Sequence, residues 1–151
     1  MLAVRNLRVV LVEDDPELAR TVERVLARYG HVTTIAPSVA AAEQLGQSFD
    51  CGILDIDLPD GSGVALAARL LDAGQLGAVV FYSANTDAEV IAEARELGPF
   101  VFKSAGTREL ERALAAAVSC AARQVAGGGA AAGAGPRRKK SGLRRKTTGN
   151  P

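Results

Sequence analysis

Histidine and cysteine, which build many catalytic and metal sites, are nearly missing from this sequence. His31 is the only histidine, which excludes a His-based catalytic triad and a His-rich metal site. Because it follows Gly30, we expect His31 in an exposed loop. The two cysteines, Cys51 and Cys120, form no CxxC motif. We expect both to be small buried hydrophobic residues of a protein in a reducing cytosol.

Aromatic residues and long apolar runs are also scarce. Aromatics make up 4% of the 151 residues and hydrophobic residues 48%, so alanine, valine and leucine must fill the core. The longest apolar runs are far short of a membrane span. The first residues, MLAVRNLRVVLVEDD, contain no long apolar stretch ending in a cleavage site. We therefore expect a cytoplasmic protein with one folded domain.

Acidic residues are missing from 136–151, a segment that contains seven lysines and arginines. Removing these from the 18 basic residues of the chain leaves 11 against 17 acidic residues in 1–135, a net charge of −6. A run of glycine and alanine, GGGAAAGAG, precedes the basic segment and cannot bury a core. We predict a folded domain at 1–126 and a flexible linker with a disordered basic tail at 127–151.

The predicted tail has three interpretations. Its positive charges, at 137–146, suit weak, salt-dependent contact with nucleic acid or an anionic membrane. It could equally be a solubilising segment, or it could fold back over the acidic body and mask the site. It is too short for a helix-turn-helix of normal size, so we expect the protein to act by binding another molecule.

Apolar, β-branched runs alternate with amphipathic, alanine-rich runs along the chain. Asp15 before Pro16 is typical of a helix start, as are Ser38 and the capping box Thr86–Glu89. The pattern predicts strands at 8–12, 32–36, 51–55, 78–82 and 100–102, and helices at 16–29, 39–46, 63–72, 87–97 and 107–125. Strands this apolar, alternating with helices, predict an α/β fold with a doubly wound, five-stranded parallel sheet and five helices.

Polar residues follow four predicted strands. They are Glu13, Asp14 and Asp15 after strand 1, Asp55 at the end of strand 3, Ser83 after strand 4 and Lys103 after strand 5. Because these ends lie along one edge of a parallel sheet, their side chains converge on one crevice. Clustered carboxylates repel one another unless a cation such as Mg²⁺ neutralises them. A carboxylate there could attack phosphorus, with a lysine neutralising a phosphoryl oxygen.

Four motifs stand in order at these strand ends: LVEDDP, ILDIDLPDGSG, VVFYSAN and FVFKS. With them, about residues 6–125 resemble the receiver domain of two-component response regulators, here stand-alone with a basic tail. The resemblance implies a flavodoxin-like fold and a phosphorelay signalling protein rather than an enzyme. Asp55 would accept a phosphoryl group from the phosphohistidine of a histidine kinase or phosphotransfer protein, with Mg²⁺ as cofactor.

The resemblance also implies roles for the neighbours of Asp55. The Mg²⁺ ligands would be Glu13, Asp14, Asp55 and the backbone carbonyl of Asp57. Lys103 would pair with a phosphoryl oxygen, Ser83 would be the switch hydroxyl, Phe100 the switch aromatic and Ala84 the small residue that leaves room for the phosphoryl group. Pro59 and Gly63 would shape the loop after Asp55, and the side chains of Asp57 and Asn85 would tune the phosphoryl lifetime.

Phosphorylation would shift a two-state equilibrium on the face formed by helix 4, strand 5 and helix 5. We expect that face to bind an unidentified downstream protein or a second copy of the chain. Two departures from the family pattern affect this side. Ser104 follows Lys103 where the family usually has proline, so we expect a trans bond there. The approach to strand 5, 97–100, is about two residues shorter than usual.

Two other functions fit parts of the sequence. ILDIDLP also resembles the DxD motif of haloacid-dehalogenase-type phosphatases, in which Asp57 would be a general acid. That motif normally follows the first strand, expects Thr or Val where Pro59 stands and needs later paired acids. The other alternative is a receiver-like interaction module that is not phosphorylated.

Of the remaining acids, we interpret Asp15 as a helix N-cap and Asp60, beside Gly61, as a turn residue.

Overall fold

The computed structural model describes residues 6–127, with side chains as far as residue 124. The strands of its main sheet are β1 (Arg8–Val12), β2 (Val32–Ala36), β3 (Cys51–Leu54), β4 (Val79–Ser83) and β5 (Phe100–Phe102). The helices are α1 (Pro16–Arg28), α2 (Val39–Glu43), α3 (Gly63–Asp72), α4 (Ala88–Leu97) and α5 (Thr107–Gly127). Each predicted strand and helix is present, with bounds that differ by a few residues at most.

The five strands form one parallel sheet in the order β2-β1-β3-β4-β5. Side chains alternate between its two faces because a strand repeats every two residues. Val9 and Leu11 pack with α1 and α5, whereas Val10 and Val12 pack with α2, α3 and α4. Helices on both faces of a parallel sheet confirm the predicted doubly wound fold.

Local sequence signals set several helix ends. The Asp15 side chain accepts hydrogen bonds from the backbone N–H groups of Glu17 and Leu18, which confirms it as the N-cap of α1. At α4 the prediction was wrong by one residue. The cap is Asp87, whose carboxylate accepts from the N–H groups of Glu89 and Val90, so Thr86 is not the N-cap.

Helix α2 is shorter than predicted, and one small element was missed. The helix ends at Glu43 rather than near Gly46, because the N–H of Leu45 bonds to the carbonyl of Ala42, three residues back, and Gly46 has a φ of 62°. Between β3 and α3, two-residue strands at Asp57–Leu58 and Gly61–Ser62 pair antiparallel. This hairpin is too short to give a periodic sequence signal.

Two expectations for single residues were wrong. His31 is buried, with 4% of its surface exposed, and its Nδ1 accepts a hydrogen bond from the backbone N–H of Leu7 at 3.2 Å. Cys51 is buried as expected, but Cys120 lies on the exposed side of α5. Both errors arose because burial of a lone residue depends on what packs over it, which a short sequence window does not contain.

The approach to β5 is tight. Only Gly98 and Pro99 separate α4 from β5, and a Cβ atom at Gly98 would overlap the carbonyl oxygen of Val79 on the neighbouring strand. Glycine therefore permits the short connection. After β5, residues Lys103–Ala105 form one turn of 3₁₀ helix, and no peptide bond between residues 6 and 127 is cis, as expected for Lys103–Ser104.

The chain divides into two units, Met1–Ala121 and Ala122–Pro151. The sheet and helices α1 to α4 belong to the first, and only the end of α5 is described in the second. The predicted linker and tail, 127–151, lie outside the described residues apart from Gly127, so this assignment stays a prediction. Among the described helices, none is both long and apolar enough to cross a membrane.

Candidate functional site

The acidic residues are placed by backbone hydrogen bonds that extend the sheet past its strands. The N–H of Glu13 donates to the carbonyl of Ala36 at 3.1 Å, and the N–H of Asp55 donates to the carbonyl of Val12 at 3.0 Å. These bonds continue the β1–β2 and β1–β3 ladders by one residue each. Glu13 and Asp55 consequently leave adjacent strands side by side at the carboxyl edge of the sheet.

Three carboxylates meet there. Glu13, Asp14 and Asp55 each offer one oxygen, and these oxygens lie within 4.8 Å of one another. Glu13 and Asp55 are only 3% and 6% exposed, whereas Asp14 is exposed. Clustered carboxylate oxygens are what a hard divalent cation such as Mg²⁺ binds. We call the site formed by Glu13, Asp14, Asp55 and Lys103 the acidic pocket.

Lys103 reaches into this pocket from the far side of β4. Its ammonium Nζ lies 2.7 Å from Oδ2 of Asp55 and 3.0 Å from Oε1 of Glu13. Its side chain is 24% exposed, so both contacts are only partly screened by water. The carbonyl of Lys103 also accepts a long, 3.5 Å hydrogen bond from the hydroxyl of Tyr82. One cation thus bridges the two buried carboxylates.

Burial and the neighbouring charges shift the pKa of Glu13 in opposite directions, and they do the same for Lys103. Burial raises the pKa of Glu13 above its usual value, and the hydrogen bonds from Lys103 and the Asp15 N–H offset this only in part. Burial by itself would lower the pKa of Lys103, but its bonds to Asp55 and Glu13 outweigh burial, and the pKa is raised. The pocket therefore favours the protonated form of Lys103 and disfavours the ionised form of Glu13.

The structure brings the two predicted lifetime residues together at the rim. Nδ2 of Asn85 donates to both carboxylate oxygens of Asp57, at 3.2 Å and 3.1 Å. The N–H of Asp57 in turn donates to Oδ1 of Asp55 at 3.3 Å. The loop after β3 and the loop after β4 are therefore joined beside the predicted phosphoacceptor.

Of the two predicted switch residues, Ser83 contacts the rim and Phe100 contacts another aromatic ring of β5. Ser83 is fully buried, and its Oγ accepts a hydrogen bond from the N–H of Asn85 at 3.3 Å. Phe100 is half-buried, and its ring meets that of Phe102 edge-on, with centroids 4.9 Å apart. Ala84 is exposed. The switch roles of Ser83 and Phe100 stay predictions.

Asp60 does more than make a turn. Its two carboxylate oxygens accept hydrogen bonds from the N–H groups of Val39 and Ala40, at 2.8 Å and 3.0 Å. These bonds lower the pKa of Asp60 and connect the loop after Asp55 to the start of α2. No local sequence pattern predicts this role, because the two amides lie some 20 residues earlier.

Gly63 is required where it stands. A Cβ atom at this position would overlap the carbonyl oxygen of Asp55, so the start of α3 approaches the backbone of the predicted phosphoacceptor as only glycine allows. The Gly63 N–H also donates to the carbonyl of Ile56 at 2.8 Å. The prediction that Gly63 shapes this loop agrees with these contacts.

Comparison with known proteins adds an independent observation. The family model described as "Response regulator receiver domain" matches residues 9–115, a range that includes all residues of the acidic pocket and both rim residues. The match covers more than half of the chain.

Individual relatives agree with the family model. Over 98 residues the chain is 33% identical to the transcriptional regulatory protein DpiA of Escherichia coli K12, covering 62% of this chain and 43% of DpiA. The N-terminal domain of a response regulator/sensory box/GGDEF three-domain protein from Carboxydothermus hydrogenoformans is 29% identical, with a TM-score of 0.68 and coverage of 78% and 98%. The signal receiver domain of an HD domain-containing protein from Pseudomonas fluorescens shares the fold at 22% identity, with a TM-score of 0.71 and coverage of 79% and 99%. The chain spans less than half the length of the curated relatives it matches.

Proposed function

This chain belongs to the family of response regulator receiver domains, and we propose that it is phosphorylated on Asp55 by a partner phosphohistidine. An Asp55 oxygen would attack phosphorus, the phosphorus–nitrogen bond would break, and the imidazole of the partner would take up a proton. The product would be an acyl phosphate on Asp55. The partner would be a histidine kinase or phosphotransfer protein that meets the chain in the cytoplasm.

The observation that carries this proposal is the position of Lys103 against Asp55. Its ammonium already contacts the carboxylate oxygen Oδ2 at 2.7 Å, where it can neutralise charge that arrives on a transferred phosphoryl group. A lysine is a compact point charge suited to this role. The same ammonium reaches Glu13 at 3.0 Å, so it can exchange partners without moving far.

The donor set of the pocket fits Mg²⁺. Glu13, Asp14, Asp55 and the backbone carbonyl of Asp57 would hold the ion, all with the oxygen ligands that this cation prefers. When bound, Mg²⁺ would supply positive charge to neutralise the phosphoryl oxygens. Glu13 and Asp14 would orient the ion beside Asp55, since they leave β1 directly next to it.

The output of the domain would be a phosphorylation-dependent interaction. We propose the face formed by α4, β5 and the part of α5 up to Ala121 as the binding surface for a downstream protein or a second copy of the chain. On this face Phe102 is 37% exposed, and the guanidinium of Arg95 lies 5.9 Å from the ring centroid of Phe100. Exposed aromatic and arginine side chains are typical of protein interfaces.

Labelling with phosphoramidate tests the proposal. With Mg²⁺, wild-type protein should gain one acid-stable but hydroxylamine-sensitive phosphoryl group, and Asp55→Asn should gain none. Asp60→Asn is the matched control, because it removes a carboxylate five residues away that caps α2 instead of lining the pocket. Retained labelling in Asp55→Asn, or none in wild type with Mg²⁺, would contradict the proposal and favour the non-phosphorylated module.

Removal of Mg²⁺ should abolish the same labelling, and Asp14→Asn should require a higher Mg²⁺ concentration. The physical reason is that Asp14 is the exposed member of the cluster and contributes a full ligand charge. Labelling at an unchanged rate in EDTA would contradict the metal site but leave Asp55 as the acceptor.

The rim contact leads to a prediction about phosphoryl lifetime. Both oxygens of Asp57 are engaged by Asn85, an arrangement that suits a fixed negative charge at the rim better than a general acid. Asp57→Asn should therefore accelerate dephosphorylation severalfold, because less negative charge opposes an approaching nucleophile. Decay of the labelled protein after removal of phosphoramidate measures this rate. An unchanged or slower decay would count against it, and Asn85→Ala should alter the size of the effect if the contact matters.

A further inference from the structure

A cavity lies between the C-terminal end of α1 and the N-terminal end of α5. Its volume is about 250 Å³, and the residues that line it are Val25, Arg28, Tyr29, Thr107 and Arg108. None of these belongs to the acidic pocket or to its rim. Two of the five lining residues are arginines, contributed by different helices.

Both arginines stand apart from the ion pairs of the protein. The ion pairs among side chains of residues 6–124 join Arg69 to Glu43, Lys103 to Glu13 and Asp55, and Arg112 to Glu109. Neither Arg28 nor Arg108 takes part in any of these described pairs, and both are exposed. Residues 1–135 nevertheless carry a net charge of −6, so acidic side chains are abundant. Two guanidinium groups at one cavity, neither in a described ion pair, favour a ligand with negative charge.

The chemistry of the lining narrows the ligand class. Guanidinium groups bind phosphate and carboxylate through paired N–H donors, and the hydroxyls of Tyr29 and Thr107 can donate to further oxygens. The cavity is smaller than the roughly 300–1,000 Å³ of pockets for drug-sized ligands. We propose that it binds a small phosphate-bearing ligand as the dianion, with Arg28 and Arg108 as the two charged contacts. This site would work without Mg²⁺, in contrast to the acidic pocket.

Titration of the full chain with inorganic phosphate tests the proposal. The titration is monitored by ¹H–¹⁵N NMR in the presence of EDTA. EDTA removes divalent cations, so the acidic pocket repels phosphate and does not contribute. Saturable shifts are expected at the amides of Arg28, Tyr29, Thr107 and Arg108. Because a charge-assisted hydrogen bond contributes appreciably to binding, Arg28→Gln and Arg108→Gln should each weaken the phosphate affinity by about tenfold.

The chain offers matched controls one helical turn from each arginine. Arg24→Gln on α1 and Arg112→Gln on α5 remove the same charge, but neither residue lines the cavity, and Arg112 is paired with Glu109 at 3.1 Å. These variants should retain the wild-type affinity. Equal weakening by the controls, shifts that do not saturate, or malonate binding as tightly as phosphate would overturn the proposal. If a glutamine variant fails to fold, Arg28→Lys and Arg108→Lys keep the charge but lose the paired donors, and they should still weaken binding.

Discussion

The cationic side chains of the acidic pocket and those of the cavity between α1 and α5 have opposite surroundings. In the acidic pocket, Lys103 lies within 3.0 Å of two carboxylates that are almost fully buried. At the cavity between α1 and α5, Arg28 and Arg108 are exposed and join none of the described ion pairs. Lys103 thus has counter-charges within the protein, whereas Arg28 and Arg108 form none of the described ion pairs. Net charge alone does not reveal this difference.

Removing Lys103 from the acidic pocket should therefore lower the free energy of unfolding, whereas removing an arginine from the cavity should leave it almost unchanged. Lys103→Met leaves Glu13 and Asp55 buried without a counter-charge, and we expect a loss on the order of 2 kcal/mol in the free energy of unfolding at neutral pH without Mg²⁺. Arg108→Gln should change it by less than about 0.5 kcal/mol. Urea denaturation of both variants measures the contrast. Equal losses of unfolding free energy in the two variants would contradict the expected difference between the pocket and the cavity.

Removing the Glu13 carboxylate from the acidic pocket should raise the free energy of unfolding rather than lower it. Because burial raises the pKa of Glu13, the folded state binds a proton there more readily than the unfolded state. Glu13 makes its full contribution to the free energy of unfolding below about pH 4.5. That contribution is lost as pH rises through the pKa that Glu13 has in the folded state. In EDTA, Glu13→Gln should therefore be more stable than wild type at pH 7, with the difference shrinking toward pH 4. A variant less stable than wild type at pH 7 would show that the contact with Lys103 outweighs burial.

A smaller pH effect should come from His31, at the start of β2. Burial lowers its pKa, and its Nδ1 accepts from the N–H of Leu7, so the folded state holds the neutral ring. His31 makes its full contribution to the free energy of unfolding above about pH 6.5. That contribution falls as pH drops below this value. His31→Asn keeps an acceptor near Nδ1 but does not titrate, so its stability should vary less between about pH 5 and 6.5. Parallel pH profiles for the variant and wild type would contradict this.

The fold was largely predictable because its signals are local. The strand β1 and the helix α3 were predicted to the residue, since apolar periodicity and caps act within a few positions. The acidic pocket was predictable for a related reason. Glu13, Asp55 and Lys103 each follow a strand, and parallel strands bring such positions to one edge. The errors at Thr86 and α2 were confined to element ends, where neighbouring candidates compete for the same cap.

The side-chain contacts that the sequence did not predict join segments far apart along the chain. Asp60 accepts from the first amides of α2 across some 20 residues, His31 accepts from the N–H of Leu7 across 24, and Asn85 contacts Asp57 across 28. Each depends on a distance between loops that no short window contains. Cys120 shows the same limit, because the side of α5 on which it lies became defined only when the helix packed on the sheet.

By itself, the sequence determined the alternation of strands and helices, the parallel sheet and the set of polar residues at its carboxyl edge. Those follow from periodicity and from chain direction, which are written along the chain. Only the tertiary structure decided that Lys103 bridges Asp55 and Glu13, that Asn85 joins Asp57 at the rim, and that Arg28 and Arg108 share a cavity. The physical reason is that charge and hydrogen bonding act over a few ångströms in space, and spatial neighbours are set by packing rather than by sequence separation.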